Sequence, residues 1–248
     1  MKQRSHISVA PHAIDPARWS LFLDFDGTLV DLADRPDGVK VNSDLAELLE
    51  RLGLRFDGRL AIVSGRSVAQ LAQFFGPFSE TLALVGSHGA EVRARGSQLV
   101  GPNAPGALRD AADRFAEAFR DNESILIEVK SLGVAIHYRL DPTAEVAALR
   151  LASDFASEHA LELQQGKMMV EVRSAGHDKG SGIAALMSMQ PFQNSLPLFL
   201  GDDLTDEPGF RRCAELGGAG VLVGEPRPTA AQYWLPDVAA VHHWLTEL

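Results

Sequence analysis

The apolar run Leu21-Phe22-Leu23 ends abruptly in Asp24-Phe25-Asp26-Gly27-Thr28, and few folds accommodate that junction. A short apolar stretch over 19–25 reads as a strand buried on both faces, which belongs in a parallel sheet covered by helices. It would deliver Asp24 and Asp26 to the carboxyl edge of that sheet. Two such carboxylates repel one another unless a proton or a cation neutralises them. Asp-Gly is also common turn chemistry, so the run by itself is equally compatible with a polar turn closing a strand.

A second junction of the same kind lies far along the chain, where Leu198-Phe199-Leu200 leads into Gly201-Asp202-Asp203. Two acidic loops on one sheet edge change the reading. Hard oxygen donors converging there suit Mg²⁺, which takes a few carboxylates together with waters and substrate oxygens.

The intervening pattern says how the two loops meet. Leu45, Leu48, Leu49 and Leu52 share a face of a helix expected over 43–52, with Asn42 or Ser43 as its cap. A strand over 59–63 ends at Ser64-Gly65-Arg66, and a helix over 67–75 stops at Gly76-Pro77. A strand over 81–85 ends at Gly86-Ser87-His88-Gly89. Strand, loop and helix in this succession mean a parallel α/β sheet. The turn-forming stretch 101–106 then breaks the rhythm. Beyond it the spacing predicts a helix over 107–119, strands over 124–130 and 134–140, a helix over 142–159, and strands over 160–164 and 168–173. Strands that adjoin without a crossover helix pair antiparallel, so this is a separate α+β unit. After Gly176 the parallel rhythm resumes, with a helix from Lys179, a strand over 198–200, a helix over 205–214 and a strand over 220–223. Two short C-terminal helices are expected to follow, the last over 238–245.

The fold class implied is α/β, a doubly wound, Rossmann-like parallel-sheet core (1–105 and 174–248) carrying an inserted smaller α+β cap (106–173). Active sites of such sheets lie at the carboxyl ends of the strands, where Asp24, Ser64, His88 and Asp202 fall.

The formal net charge of −10 argues against nucleic-acid and membrane-surface binding, since both partners are anionic. It leaves a small phosphorylated substrate open, because such a ligand feels a local pocket. Cys213 is the only cysteine, which excludes a disulfide framework and a cysteine-based zinc site. Residues 1–20 carry Lys2 and Arg4 but no apolar signal-like core, and no stretch approaches the roughly twenty apolar residues of a membrane span. A reducing cytoplasm and a monomer are expected.

A carboxylate, a metal and a second carboxylate suffice for phosphoryl transfer. Asp24 would attack phosphorus to give an aspartyl phosphate, Mg²⁺ would offset repulsion from a dianionic ester, and Asp26 would act as acid and then base. Ser64 offers a hydroxyl and loop N–H groups, and Lys179 a cation at a helix start. Each also has an ordinary structural reading, a turn serine and a solvated lysine.

Taken together, these residues resemble the haloacid-dehalogenase-like phosphatase superfamily, whose four motifs appear in order as Asp24-Phe25-Asp26-Gly27-Thr28, Ser64, Lys179 and Gly201-Asp202-Asp203. The resemblance implies Asp24 as nucleophile, Asp26 as acid and base, and Mg²⁺ held by Asp24, the Asp26 backbone carbonyl and Asp202. It implies supporting carboxylates at Asp203 and Asp206.

A finer resemblance, covering nearly the whole chain, is to the trehalose-6-phosphate phosphatases. It rests on Ser64-Gly65-Arg66, Gly86-Ser87-His88-Gly89, Gly201-Asp202-Asp203-Leu204-Thr205-Asp206-Glu207, Glu128-Val129-Lys130, His137-Tyr138-Arg139, and Gln165-Gly166-Lys167 leading into Val170-Glu171-Val172. It implies hydrolysis of trehalose 6-phosphate to trehalose and inorganic phosphate, a cap that closes over the core, and a functional link to a trehalose-6-phosphate synthase. Substrate contacts are implied at Thr28, Gly65 and Arg66 and, in the cap, at Glu128, Lys130, His137 and Glu171. His88 either touches the ligand or orients its loop. Where many relatives carry a proline soon after the counterpart of Glu171, this chain has Ser174-Ala175. Other esters remain open under the same core, including sucrose phosphate, a mannosyl phosphoglycerate and hexose phosphates; a phosphomutase and a catalytically silent sugar-phosphate sensor are more distant readings.

Strand alternation supports a polar cap face. A two-residue Leu132-Gly133 turn would set Lys130 opposite Ala135 and Glu128 opposite His137. Glu128, Lys130, His137 and Arg139 would then share one face and Ile127, Val129, Ile136 and Tyr138 the other. The competing reading is a solvated face with cross-strand pairing of Glu128 and His137. Thr205 is expected to cap the helix after the acidic loop, with Asp206 and Glu207 in its first turn.

Overall fold

A computed structural model of the protein describes residues 8–9, 11, 14–32, 38–39 and 41–248. Half of the N-terminal segment 1–20 read for targeting signals lies outside them. The described residues form two compact units, one reaching Val100 and resuming at Asp178–Leu248, the other spanning Gly101–His177.

The larger unit is built on an eight-stranded sheet of β1 (Ser8–Val9), β2 (Trp19–Asp24), β3 (Leu60–Val63), β4 (Ala83–Gly86), β5 (Glu91–Arg93), β10 (Leu196–Gly201), β11 (Ala219–Val223) and β12 (Tyr233–Leu235). The spatial order is β1-β12-β11-β10-β2-β3-β4-β5. Every neighbouring pair is parallel except β4 with β5. β2 and β10 are therefore adjacent central strands, and both acidic junctions open onto the same edge.

Alternation along the strands feeds two apolar layers. Leu21, Leu23, Ile62, Leu84, Leu198 and Leu200 pack with α1 (Ser43–Arg55), α2 (Val68–Phe75) and α7 (Val238–Glu247). Phe22, Ala61, Val63, Val85, Phe199 and Leu222 pack with α5 (Lys179–Met187) and α6 (Glu207–Glu215). A sheet buried on both faces in this way is doubly wound. The helices begin where their caps dictate: Asn42 Oδ1 accepts from the Leu45 N–H at 2.9 Å, and Ser67 with Gln70 forms a capping box at the start of α2.

Three expectations in this unit need correction. The first of the two C-terminal helices is instead the strand β12, whose three residues are too few to show a period. The hairpin strand β5 carries no distinct pattern in the sequence and was not expected. Thr205 is not a cap; the chain enters a 3₁₀ turn at Leu204–Asp206, where Asp203 accepts from the Leu204 N–H, before α6 begins at Glu207.

The smaller unit follows the order helix, two strands, helix, two strands: α3 (Ala107–Ala118), β6 (Leu126–Val129), β7 (Gly133–His137), α4 (Glu145–His159), β8 (Glu162–Gly166) and β9 (Met169–Arg173). The antiparallel sheet runs β6-β7-β9-β8. Val134, Ile136, Val170 and Val172 pack with Phe115 and Phe155, whose rings meet edge-on at 5.6 Å. The β6–β7 register differs from the expected one by two residues, with Glu128 opposite Ala135 and Leu126 opposite His137. The cause is the turn: the Lys130 N–H donates to Gly133 O at 2.9 Å, so Ser131 and Leu132 make the reversal. An even shift leaves every side chain on its expected face. The Ser174 N–H donates to Leu132 O at 3.0 Å, a bond that a proline at 174 would remove. No helix among the described residues is long and apolar enough to cross a membrane.

Candidate active site

Asp24 closes β2 and is buried. Lys179, the first residue of α5, is equally buried and donates to Asp24 Oδ1 at 2.7 Å and to Asp206 Oδ1 at 2.5 Å. Asp178 holds that helix start in place by accepting from the Ser181 N–H at 2.7 Å. Asp24, Asp202 and Asp206 each offer an oxygen, and these atoms lie within 4.8 Å of one another. The two acidic junctions thus converge on one point.

Close backbone approach makes the convergence feasible. Gly27 has φ of +86°, and a Cβ there would collide with the Asp202 carboxylate. A Cβ at Gly201 would likewise strike Asp206. Both loops need glycine because a carboxylate, from the other loop at Gly27 and from the same loop at Gly201, occupies the space a side chain would take.

Burial raises the Asp24 carboxyl well above the ordinary carboxylate range; Lys179 opposes this, and Asp206 and Asp202 add to it. Burial disfavours the Lys179 ammonium too, but Asp206 and Asp24 outweigh it and hold Lys179 above the ordinary lysine range. Burial is the leading cause at Asp24 and the two carboxylates the cause at Lys179, where one cation faces an excess of negative charge. Hard oxygen donors around that excess fit a divalent cation such as Mg²⁺.

Asp26 points elsewhere. Arg66 Nε donates to its Oδ2 and Arg66 Nη2 to its Oδ1, each at 2.7 Å, a fork-on-carboxylate pair. The guanidinium also lies over the Phe74 ring, 4.7 Å from its centroid. Arg66, read from the sequence as a substrate contact, is here first of all the partner of Asp26. Thr28 Oγ1 is 3.4 Å from Asp24 Oδ2, at the outer limit of a hydrogen bond. Ser64 is buried at the end of β3, where its Oγ accepts from the Arg66 N–H at 3.1 Å. His88 sits in the left-handed region (φ 53°) with its ring over Gly65, where a Cβ would clash with it. Asp203 stays outside the acidic cluster, since its side chain caps Leu204. Asp206, by contrast, is fully buried within the cluster; its Oδ2 accepts from the Asp203 N–H at 2.8 Å.

Sequence reasoning missed two groups. Glu91 is buried and accepts from the Val68 N–H at 2.6 Å, at the head of α2. Arg227 bonds the Glu207 carboxylate and donates to Asp203 O at 2.7 Å. Glu207, expected merely to favour the helix dipole, also accepts from the Ala230 N–H at 2.8 Å. The repeated acids of 202–207 were the only available signal for it.

In the smaller unit, Glu128, Lys130, His137 and Glu171 share one sheet face. Lys130 Nζ and Glu171 Oε2 are 2.5 Å apart, with side chains 7% and 3% exposed. His137 Nε2 lies 2.8 Å from Glu128 Oε2. Arg139 donates to Lys167 O at 3.4 Å.

The family described as trehalose-phosphatase matches the chain over residues 22–239. The chain is similar to the trehalose-6-phosphate phosphatase of Escherichia coli (strain K12), with 37% identity over 231 residues covering 92% of this chain and 86% of that protein. It is also similar in structure to a trehalose-6-phosphate phosphatase related protein, at a TM-score of 0.72 and 28% identity, over 92% of this chain and 95% of the other. The C-terminal domain of the Candida albicans trehalose-6-phosphate phosphatase shares the fold at a TM-score of 0.80 and 24% identity, over 93% and 91% of the two chains.

Proposed function

This chain belongs to the trehalose-phosphatase family, within the haloacid-dehalogenase-like fold, and from that premise we propose how its residues hydrolyse trehalose 6-phosphate. The observation that carries the reading is the cluster of Asp24, Asp202 and Asp206, in which Lys179 joins the buried Asp24 and Asp206, with Asp26 two residues from the nucleophile. The Asp24 carboxylate attacks phosphorus, the bond to the sugar oxygen breaks, and an aspartyl phosphate forms. Lys179 fixes the attacking carboxylate and keeps positive charge beside it. Asp26 gives a proton to the departing sugar oxygen and later takes one from the water that cleaves the intermediate. Arg66 orients Asp26 through both oxygens, and proton transfer requires one of those bonds to yield. Ser64 and the loop that follows it offer donors to the phosphoryl oxygens.

Mg²⁺, the ion these donors suit, would be held by Asp24, the Asp26 carbonyl and Asp202, and supplies charge neutralisation for a dianionic ester. Thr28, Gly65 and Arg66 are assigned to the phosphate end of the substrate and His88 to orienting the loop over Gly65. Asp203 and Asp206 support the ligand loop. Glu128, Lys130, Glu171 and His137 are assigned to the sugar hydroxyls; carboxylates and ammonium groups on one face are the donors and acceptors a disaccharide takes. The same reading places the enzyme after a trehalose-6-phosphate synthase. The lone buried thiol of Cys213 suits a reducing cytoplasm. A monomer is assumed.

Phosphate release from trehalose 6-phosphate, sucrose 6-phosphate and glucose 6-phosphate, each with and without Mg²⁺, tests this. Release from the first alone, and only with Mg²⁺, is expected. Comparable rates on all three would overturn the substrate, and undiminished rates after exhaustive chelation would overturn the metal.

A further inference from the structure

We propose that Arg227 and Glu207 form a clasp that positions the acidic loop carrying Asp202, a role that rests on reading Asp202 as a metal ligand. The loop leaves β10 after Gly201 and has little apolar support, since Leu204 is 67% exposed. Its shape must therefore come from polar ties. Some are internal: the Asp203 N–H donates to Asp206 Oδ2 at 2.8 Å and the Asp206 N–H to Asp203 O at 3.1 Å.

The clasp adds ties from a different loop. Arg227 Nη2 donates to Asp203 O at 2.7 Å, while its Nη1 bonds Glu207 Oε1. Glu207 Oε2 accepts from the Ala230 N–H at 2.8 Å, so its carboxylate is held by both a side chain and the backbone of the opposing loop. The pair is largely buried, with side chains 22% and 13% exposed. The opposing loop is itself anchored: the Trp234 indole N–H donates to Gly224 O at 2.6 Å and the Gly224 N–H to Leu235 O at 3.0 Å. A guanidinium that bonds the Asp203 carbonyl fixes the peptide between Asp203 and Leu204, one residue past Asp202, and so restrains the backbone that aims the Asp202 carboxylate. Groups that orient metal ligands from behind act in this way. Arg227 and Glu207 are thus positioning residues, not catalytic ones.

The test compares Arg227→Ala, Arg227→Lys and Glu207→Gln with Arg93→Ala. Arg93 makes the same kind of contact, donating to Ser79 O at 2.8 Å and to Glu80 at 3.2 Å, but outside this loop. The first readout is hydrogen exchange of the 201–207 segment with no metal added. Faster exchange there in Arg227→Ala and Glu207→Gln, partial recovery in Arg227→Lys and no change in Arg93→Ala are expected. The second is the Mg²⁺ concentration at half-maximal thermal shift, expected to rise about 10-fold in Arg227→Ala. Unchanged loop exchange in both Arg227→Ala and Glu207→Gln would overturn the clasp. A wild-type protein with no thermal response to Mg²⁺ would overturn the metal reading instead, leaving the exchange result to decide the clasp.

Discussion

Removing the Lys130 ammonium should cost the smaller unit far more than a surface ion pair would. Lys130 Nζ and Glu171 Oε2 are 2.5 Å apart, and neither side chain is more than 7% exposed. Glu171 also sits against Gly133, where a Cβ would collide with its carboxylate, so the carboxylate has little room to swing toward water. Breaking a buried pair by deleting one member costs about 3–5 kcal/mol, because the remaining charge stays in the interior. Lys130→Met keeps most of the volume and removes only the charge. With unfolding entropy near 2.1 cal/mol/K per residue, a loss of about 3 kcal/mol lowers the melting temperature by about 6 °C if the whole chain melts together. If the unit spanning Gly101–His177 melts by itself, the same loss is about 19 °C. Thermal unfolding by circular dichroism and calorimetry reads both numbers. Replacing both partners, Lys130→Met with Glu171→Leu, should recover most of the loss. Both variants should still be poor on trehalose 6-phosphate while hydrolysing an aryl phosphate near the wild-type rate. A single variant that melts within a degree of wild type would refute the reasoning, since the pair would then be behaving as a hydrated one.

Two further perturbations separate the roles assigned in the core. Asp26→Asn should lower kcat for trehalose 6-phosphate by about 10²–10⁴, the usual worth of a positioned acid and base, but leave the first-turnover burst of nitrophenol from a nitrophenyl ester, whose leaving group needs no proton, little changed; a burst slowed as much as kcat would remove Asp26 from protonating the leaving group. Cys213 is fully buried, and burial pushes its thiol well above the ordinary range. It should therefore resist iodoacetamide in the native protein and react at the rate of unfolding, and rapid native-state labelling would contradict that burial.

Much of this site was legible because its carboxylates follow apolar runs. Leu21-Phe22-Leu23 and Leu198-Phe199-Leu200 announce central strands, and adjacency of β2 and β10 brings Asp24 to Asp202. From pattern alone Asp206 reads as an acid in a first helical turn, and only the family resemblance implies a supporting carboxylate there. Periodicity shows a face but not depth, and this side chain turns inward because Lys179 bonds it from α5. The Arg66–Asp26 pair joins the ends of two strands and leaves no local trace. In the smaller unit, alternation identified the polar face correctly while the turn was misplaced, because a two-residue shift preserves parity. β12 was misread for want of length, its partner strands being what makes three residues a strand.

The central claim is that Asp24, and no other carboxylate of the cluster, takes the phosphoryl group. Acid-quenching the enzyme during turnover, reducing it with borohydride and mapping the peptides tests this directly, since an aspartyl phosphate is reduced to homoserine. Homoserine at position 24, dependent on substrate and absent from Asp24→Asn, is the predicted result. Homoserine at Asp26, Asp202 or Asp206, with none at position 24, would contradict the account.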